Sequence, residues 1–179
     1  MDLRFFFASD SKISYIKSMA EKVQGRGSAF NPGNRFERLH IDDLSDEMRE
    51  EAAPTKIETL YFHDSSRSIL ARNDSPDIPF TFSVNPYRGC EHGCIYCYAR
   101  PSHEYLGFSA GLDFESRIMV KMDAAPLLDE ALADPKFEPQ VIAMSGNTDC
   151  YQPVERKLKL TRACLEVFLK YRNPVGVIT

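Results

Sequence analysis

Residues 85–108 read NPYRGCEHGCIYCYARPSHEYLGF, placing three of the chain's five cysteines, Cys90, Cys94 and Cys97, within eight positions. The segment just before it, FTFSV at residues 80–84, is β-branched and aromatic and suits a half-buried or buried strand. Gly89 and Gly93 make the loop after that strand tight and closely approachable. A C-x3-C-x2-C loop can wrap a metal centre. Four cysteines would close a structural zinc site or ligate an iron–sulfur cluster fully, whereas three leave one metal position open for a substrate or cofactor. The alternative left open by spacing alone is a structural zinc site completed by His92, His103 or Cys150.

Downstream, strand and helix signals alternate. RIMVKM (117–122) reads as extended, and Asp123 can cap a helix carrying the stripe Ala124, Leu127, Leu128, Ala131 and Leu132. QVIAM (140–144) reads as a buried strand. Pro153 suits the first turn of a long helix lined on one face by Val154, Leu158, Leu165, Phe168 and Leu169 and ended by Asn173-Pro174. VGVIT (175–179) reads as the next strand. This alternation predicts an α/β fold with a parallel sheet and crossover helices. A parallel strand with no cover would be an exposed edge, so the sequence suggests a truncated chain.

Upstream the texture differs. Residues 1–79 read as an irregular N-terminal extension, with the turn-rich GRGSAFNPGNRFERL, a helix through DDLSDEMREEAA and a strand-like TLYFHD; residues 80–179 read as the folded α/β part. Composition fits an ordinary globular protein: 179 residues, 43% hydrophobic and 27% charged. A domain near this length buries about 70% of its unfolded surface, so disulfides are not needed for stability. The run Phe5-Phe6-Phe7 is too short for a signal-peptide core, which with the odd cysteine count points to reduced thiols in a cytoplasmic protein with no membrane association. The net charge of −4 supplies no whole-molecule attraction for nucleic acid.

The loop's C-x3-C-x-aromatic-C pattern, with Tyr96 as the aromatic, resembles the radical S-adenosylmethionine enzymes. CYARPSHEYLGFSAGLDFESRIMVK, SGNTDCYQPVERKLKLTR and the N-terminal GRGSAFNPGNRF look like the branch related to spore photoproduct lyase. The similarity runs from about Gly25 onward. It implies an N-terminal portion holding the first half of an incomplete (β/α) barrel. Cys90, Cys94 and Cys97 would each bind one iron of a 4Fe-4S cluster, whose fourth iron would take S-adenosyl-L-methionine. Tyr96 would lie near the adenine, and Ser145, Gly146, Asn147, Thr148 and Asp149 would match the segment contacting the methionine part. The implied reaction is reductive cleavage of S-adenosylmethionine to a 5′-deoxyadenosyl radical, lyase-like, with nucleic acid as the substrate class suggested by the branch. The resemblance further implies a reductase or a flavodoxin- or ferredoxin-type electron donor. The fragment by itself is expected to be inactive. Two alternatives remain at this point: radical modification of a small metabolite, and a non-catalytic zinc or iron–sulfur binding module.

Other residues receive plainer readings. The photoproduct lyases carry their hydrogen-donor cysteine in a Ser-Cys-x-Ser/Thr-Asp-like stretch, and here Gly146 stands in that place, which argues against photoproduct repair; Cys150 lies four residues later. Cys164 reads as a buried small apolar residue. His103 and Glu104 read as a capping or supporting pair and Tyr98 as packing; Arg88 and Arg100 flank the cysteine loop and read as surface charges or as groups that tune its charge, and Arg26, Arg35 and Arg38 as unspecific charges. The basic run at 155–162 reads as the solvated face of an amphipathic helix.

Overall fold

The computed structural model describes residues 5–6, 23–36 and 55–179. The helix expected through DDLSDEMREEAA, and Arg38, lie outside the described residues. The chain is a mixed α/β structure with two four-stranded mixed sheets and no closed barrel among the described residues. The first sheet has the order β1 (Phe5–Phe6), β4 (Leu60–His63), β8 (Arg117–Val120) and β7 (Tyr87–Arg88). Its first three strands are parallel and β7 is antiparallel to β8. The second has the order β10 (Val175–Val177), β9 (Ile142–Met144), β6 (Phe82–Val84) and β5 (Leu70–Arg72), again parallel except for the last pair. A short parallel pair joins β2 (Val23–Gln24) to β3 (Thr55–Lys56).

The alternation read from the sequence therefore produces parallel pairing at β6, β9 and β10, but TLYFHD and the segment at 70–72 also enter the sheets. The antiparallel edge has a local cause. Asn73 and Asp74 start the turn between β5 and β6: the Asn73 carboxamide accepts the Ser75 N–H at 3.2 Å, and the Asn73 N–H donates to Thr81 O at 2.7 Å.

Buried apolar residues hold the second sheet. All three residues of β9 are buried, as a strand with a neighbour on each side requires. Val84, Ile142 and Met144 pack with Ala124, Leu128 and Leu132 of α2 (Ala124–Ala133) and with Cys164 and Phe168 of α4 (Leu160–Tyr171). Each such Leu, Ile or Phe contributes about 1.5–3 kcal/mol by leaving water. Asp123 stands at the N-cap of α2 as expected, but its carboxylate makes no capping bond.

The long helix expected after Pro153 is two helices, α3 (Glu155–Leu158) and α4, separated by Lys159 at φ +55°. The cause is Glu155. Its buried carboxylate accepts the N–H groups of Thr161 at 3.1 Å and Arg162 at 3.2 Å, the orphan donors at the start of α4, and the chain must double back at Lys159 to deliver them. The break turns the apolar stripe to Leu160, Cys164 and Phe168, leaving Leu169 exposed. Arg156, Lys157, Lys159 and Arg162 face water, as the sequence suggested. Cys164 is fully buried, and burial pushes its thiol up to about 12.

Candidate functional site

The parallel strands β6, β9 and β10 are in matching register, Val84 opposite Met144 and Met144 opposite Val177, so their carboxyl ends open on one edge. That edge is where parallel sheets present ligand-binding groups. Residues 85–98 leave β6 there, and residues 145–149 leave β9 beside them. Ser145 donates its N–H to Val84 O at 2.9 Å, Asn147 its N–H to the Asn85 side chain at 3.1 Å, and the Thr148 hydroxyl donates to Tyr87 O at 2.9 Å. The Tyr98 phenol donates to Gly146 O. His92 Nε2 stands 3.5 Å from an Asp149 carboxylate oxygen, and the Thr179 hydroxyl donates to the other at 2.9 Å.

Ser145 is a non-glycine residue at φ +73°, buried, with a hydroxyl that has no hydrogen-bond partner among the described residues. A left-handed backbone of this kind costs about 1–3 kcal/mol and persists only where the surroundings enforce it. The Ser145 hydroxyl lies beside the Cys150 thiol without forming a well-directed bond. Burial pushes that thiol up, and the neighbouring hydroxyl works against the shift.

The cysteine loop is a series of turns. Cys90 donates its N–H to Phe114 O at 2.9 Å, Gly93 to Cys90 O at 3.2 Å, and Cys97 to Cys94 O at 3.2 Å. Gly89 at φ +79° and Gly93 at φ +63° adopt the left-handed backbone that these turns need. All three cysteines are free thiols. Cys90 is buried and packs with Ala99, Phe114 and Cys97, while Cys94 and Cys97 are half-buried. Burial pushes the Cys90 thiol up, against the backbone N–H groups of His92 and Asp149, which favour its thiolate. Among the described residues, no three His, Cys, Asp or Glu side chains stand as a ready-made metal cage.

Tyr96 is at the loop's tip, 86% exposed. Its phenol is made less acidic chiefly by the neighbouring Cys94. Tyr98 is also exposed, and its hydroxyl tethers it to Gly146 O. The His103 side chain caps no helix. It is buried between Phe108, stacked at 5.2 Å, and Phe114, edge-on at 5.6 Å, beneath Gly89, and neither ring nitrogen has a partner among the described residues. Glu104 does act in support, pairing with Arg35 at 2.6 Å.

Several residues that the sequence left as surface charges build the loop's foundation. Arg100 and Glu115 meet beneath it at 3.1 Å. Glu115 also accepts the N–H groups of Gly27 at 2.9 Å and Ser28 at 3.2 Å, and Arg26 donates to its carbonyl at 2.7 Å. Residues 25–36 thereby lie as a strap over the cysteine loop, fastened further by Asn31 to Asp113 at 2.9 Å and by Asn34 to Glu104 O at 3.1 Å. A second buried carboxylate, Glu91, accepts Tyr61 OH and Val154 N–H, each at 2.9 Å, and Gln152 bonds both Glu91 N at 3.1 Å and Gly89 O at 3.2 Å. Arg88 turns away from the loop, with Nε 2.9 Å from Asp64 and Nη2 donating to Ser66 at 2.9 Å.

Glu91, Glu115 and Gln152 were missed by sequence reasoning. Glu91 directly follows Cys90, but nothing next to Glu115 or Gln152 in the sequence marks them.

The chain is 38% identical over 102 residues, 57% of its length, to the uncharacterized protein Rv2578c of Mycobacterium tuberculosis, and equally so to the uncharacterized protein Mb2609c of Mycobacterium bovis. It is 32% identical over 98 residues, 55% of its length, to the uncharacterized protein MJ0683 of Methanocaldococcus jannaschii. It spans about a third of the length of these curated relatives, 30% for the mycobacterial pair and 34% for the archaeal protein. No protein-family model matches the chain. No solved structure matches it either.

Proposed function

We propose that this chain is part of a radical S-adenosylmethionine enzyme, with β6, β9 and β10 as strands of an incomplete (β/α) barrel and Cys90, Cys94 and Cys97 as the ligands of a 4Fe-4S cluster. The observation that carries the reading is the meeting of the cysteine loop with the 145–149 loop at the carboxyl edge of three parallel strands, where Tyr98 bonds Gly146 O and His92 stands 3.5 Å from Asp149. The donor set suits the cluster: three free thiols on one loop, with Cys90 and Cys97 packed together. Bound there, the cluster would supply one electron to S-adenosylmethionine and so give the 5′-deoxyadenosyl radical.

The chain's own residues hold and shield that chemistry. Tyr96 presents an exposed ring for the adenine, and Ser145 through Asp149 present backbone and side-chain groups to the methionine part. The strap at 25–36 covers the loop from one side and limits water there. The substrate class favoured by the resemblance is nucleic acid, in a cytoplasmic setting, with a flavodoxin- or ferredoxin-type protein as the source of electrons. Anaerobic reconstitution with iron and sulfide tests the ligand assignment. The wild-type chain should turn brown and retain about four iron and four sulfide. Cys94→Ser should lose the colour, and a variant as brown as wild type would refute the assignment.

A further inference from the structure

Arg100 spends all five of its guanidinium N–H donors. Nε donates to Cys94 O at 3.1 Å; Nη2 to Gly93 O at 2.8 Å and to Glu115 at 3.1 Å; Nη1 to Gly111 O at 2.9 Å and Ala110 O at 3.3 Å. Its face lies 5.3 Å from the Phe114 ring centre, and only 11% of the side chain is exposed. An ion pair with Glu115 would use one or two of these donors. The other four read the carbonyls of two separate loops, and a flat five-donor fork is the side chain that can do so.

Turning the Gly93 and Cys94 carbonyls toward Arg100 has a fixed consequence for the same peptide units. A trans peptide sets its N–H opposite its C=O, so the N–H groups of Cys94 and Ile95 point away from the guanidinium. Among the described residues neither N–H has an acceptor within the chain. The same stretch of loop carries the half-buried Cys94 and Cys97 thiols and the exposed side chains of Ile95 and Tyr96.

We propose that Arg100 is a positioning residue that presets the amide N–H donors of the cysteine loop for a bound iron–sulfur cluster, acting through the backbone without touching the metal. This rests on the cluster reading above. N–H donors aimed at cluster and thiolate sulfur stabilise the reduced, more negative state, so they raise the reduction potential and hold the cluster against loss. Because the arrangement depends on the fork's shape, lysine, which keeps the charge, cannot restore it.

The test uses the full chain, reconstituted anaerobically, as wild type, R100K and R100Q, with the apo unfolding midpoint confirming that each variant folds. Two quantities are read: the rate at which a ferrous chelator strips iron, and the midpoint potential of the cluster. Loss of an outer-shell partner costs roughly 10–100-fold in metal retention, so both variants should lose iron at least about tenfold faster and titrate at a more negative potential. A second reading needs no variant: in wild-type protein, hydrogen exchange of the 93–96 amides should slow on cluster loading. R100K matching wild type in rate and potential, or amides that exchange equally with and without cluster, would overturn the proposal while leaving the cluster reading intact. A wild-type chain that takes up no cluster would overturn both.

Discussion

Tyr61, in the middle of β4, donates its phenol proton to the buried carboxylate of Glu91 at 2.9 Å, linking the first sheet to the cysteine loop across 30 positions of sequence. Burial is the largest cause of the raised Tyr61 pKa and the Glu91 hydrogen bond the next, so the phenol remains a donor throughout the neutral range. Glu91 also accepts Val154 N–H at 2.9 Å, which ties the loop to the turn before α3.

Tyr61→Phe should therefore cost about 1–2 kcal/mol, the value of one hydrogen bond to a charged group less the packing the ring retains. A urea melt reads this as a lower midpoint at unchanged slope. No change in midpoint would mean that Glu91 finds water in place of the phenol.

His103 sets a pH dependence. Burial depresses the imidazole from 6.5 to about 4, so the folded chain keeps it neutral where the unfolded chain would protonate it. Between these values unfolding takes up a proton, and stability falls as pH drops from about 7 toward 4. The loss attributable to His103 between pH 7 and 5 is roughly 2 kcal/mol. His103→Leu should flatten the stability curve over that interval relative to wild type. Parallel curves for the two proteins would show that the imidazole is already protonated, or solvated, in the folded chain.

The fit of the strap depends on bare glycine backbone. A Cβ at Gly27 would stand 1.7 Å from the carbonyl oxygen of Gly93, and one at Gly93 would stand 2.2 Å from a Glu115 carboxylate oxygen. Gly27→Ala should push residues 25–36 off the cysteine loop at a cost of about 1–3 kcal/mol and leave the second sheet's core intact. Faster tryptic cleavage at Arg26 and Arg35, with the rest of the chain still protected, is the expected pattern. Cleavage at the wild-type rate would place the strap's anchorage elsewhere.

The sequence disclosed what short-range chemistry decides. FTFSV, RIMVKM, QVIAM and VGVIT each contain a strand, because β-branched and apolar runs bounded by turn residues leave few alternatives. The cysteine loop's turns were legible from Gly89 and Gly93. Pairing partners were not, since nothing within RIMVKM announces that it joins β4 and β7 and stays out of the sheet holding β9. The break at Lys159 was hidden for the same reason: Glu155 reads as a surface residue until the Tyr87 phenol and the amides of Thr161 and Arg162 converge on it. At the candidate site, the three cysteines and the 145–149 loop could be named in advance. Arg100 could be named as a charge flanking the loop, but the carboxylates Glu115 and Glu91 bond groups up to 88 positions away, beyond any local pattern.

If the three-cysteine loop holds the proposed iron–sulfur cluster, one iron is open to S-adenosylmethionine. The most direct measurement is the electron paramagnetic resonance spectrum of the anaerobically reconstituted, dithionite-reduced chain, recorded before and after adding S-adenosylmethionine. The expected result is a reduced 4Fe-4S signal that shifts on addition and is absent from Cys94→Ser. A chain that instead holds zinc tightly and gives no such signal would contradict it, and would make residues 90–97 a structural knot.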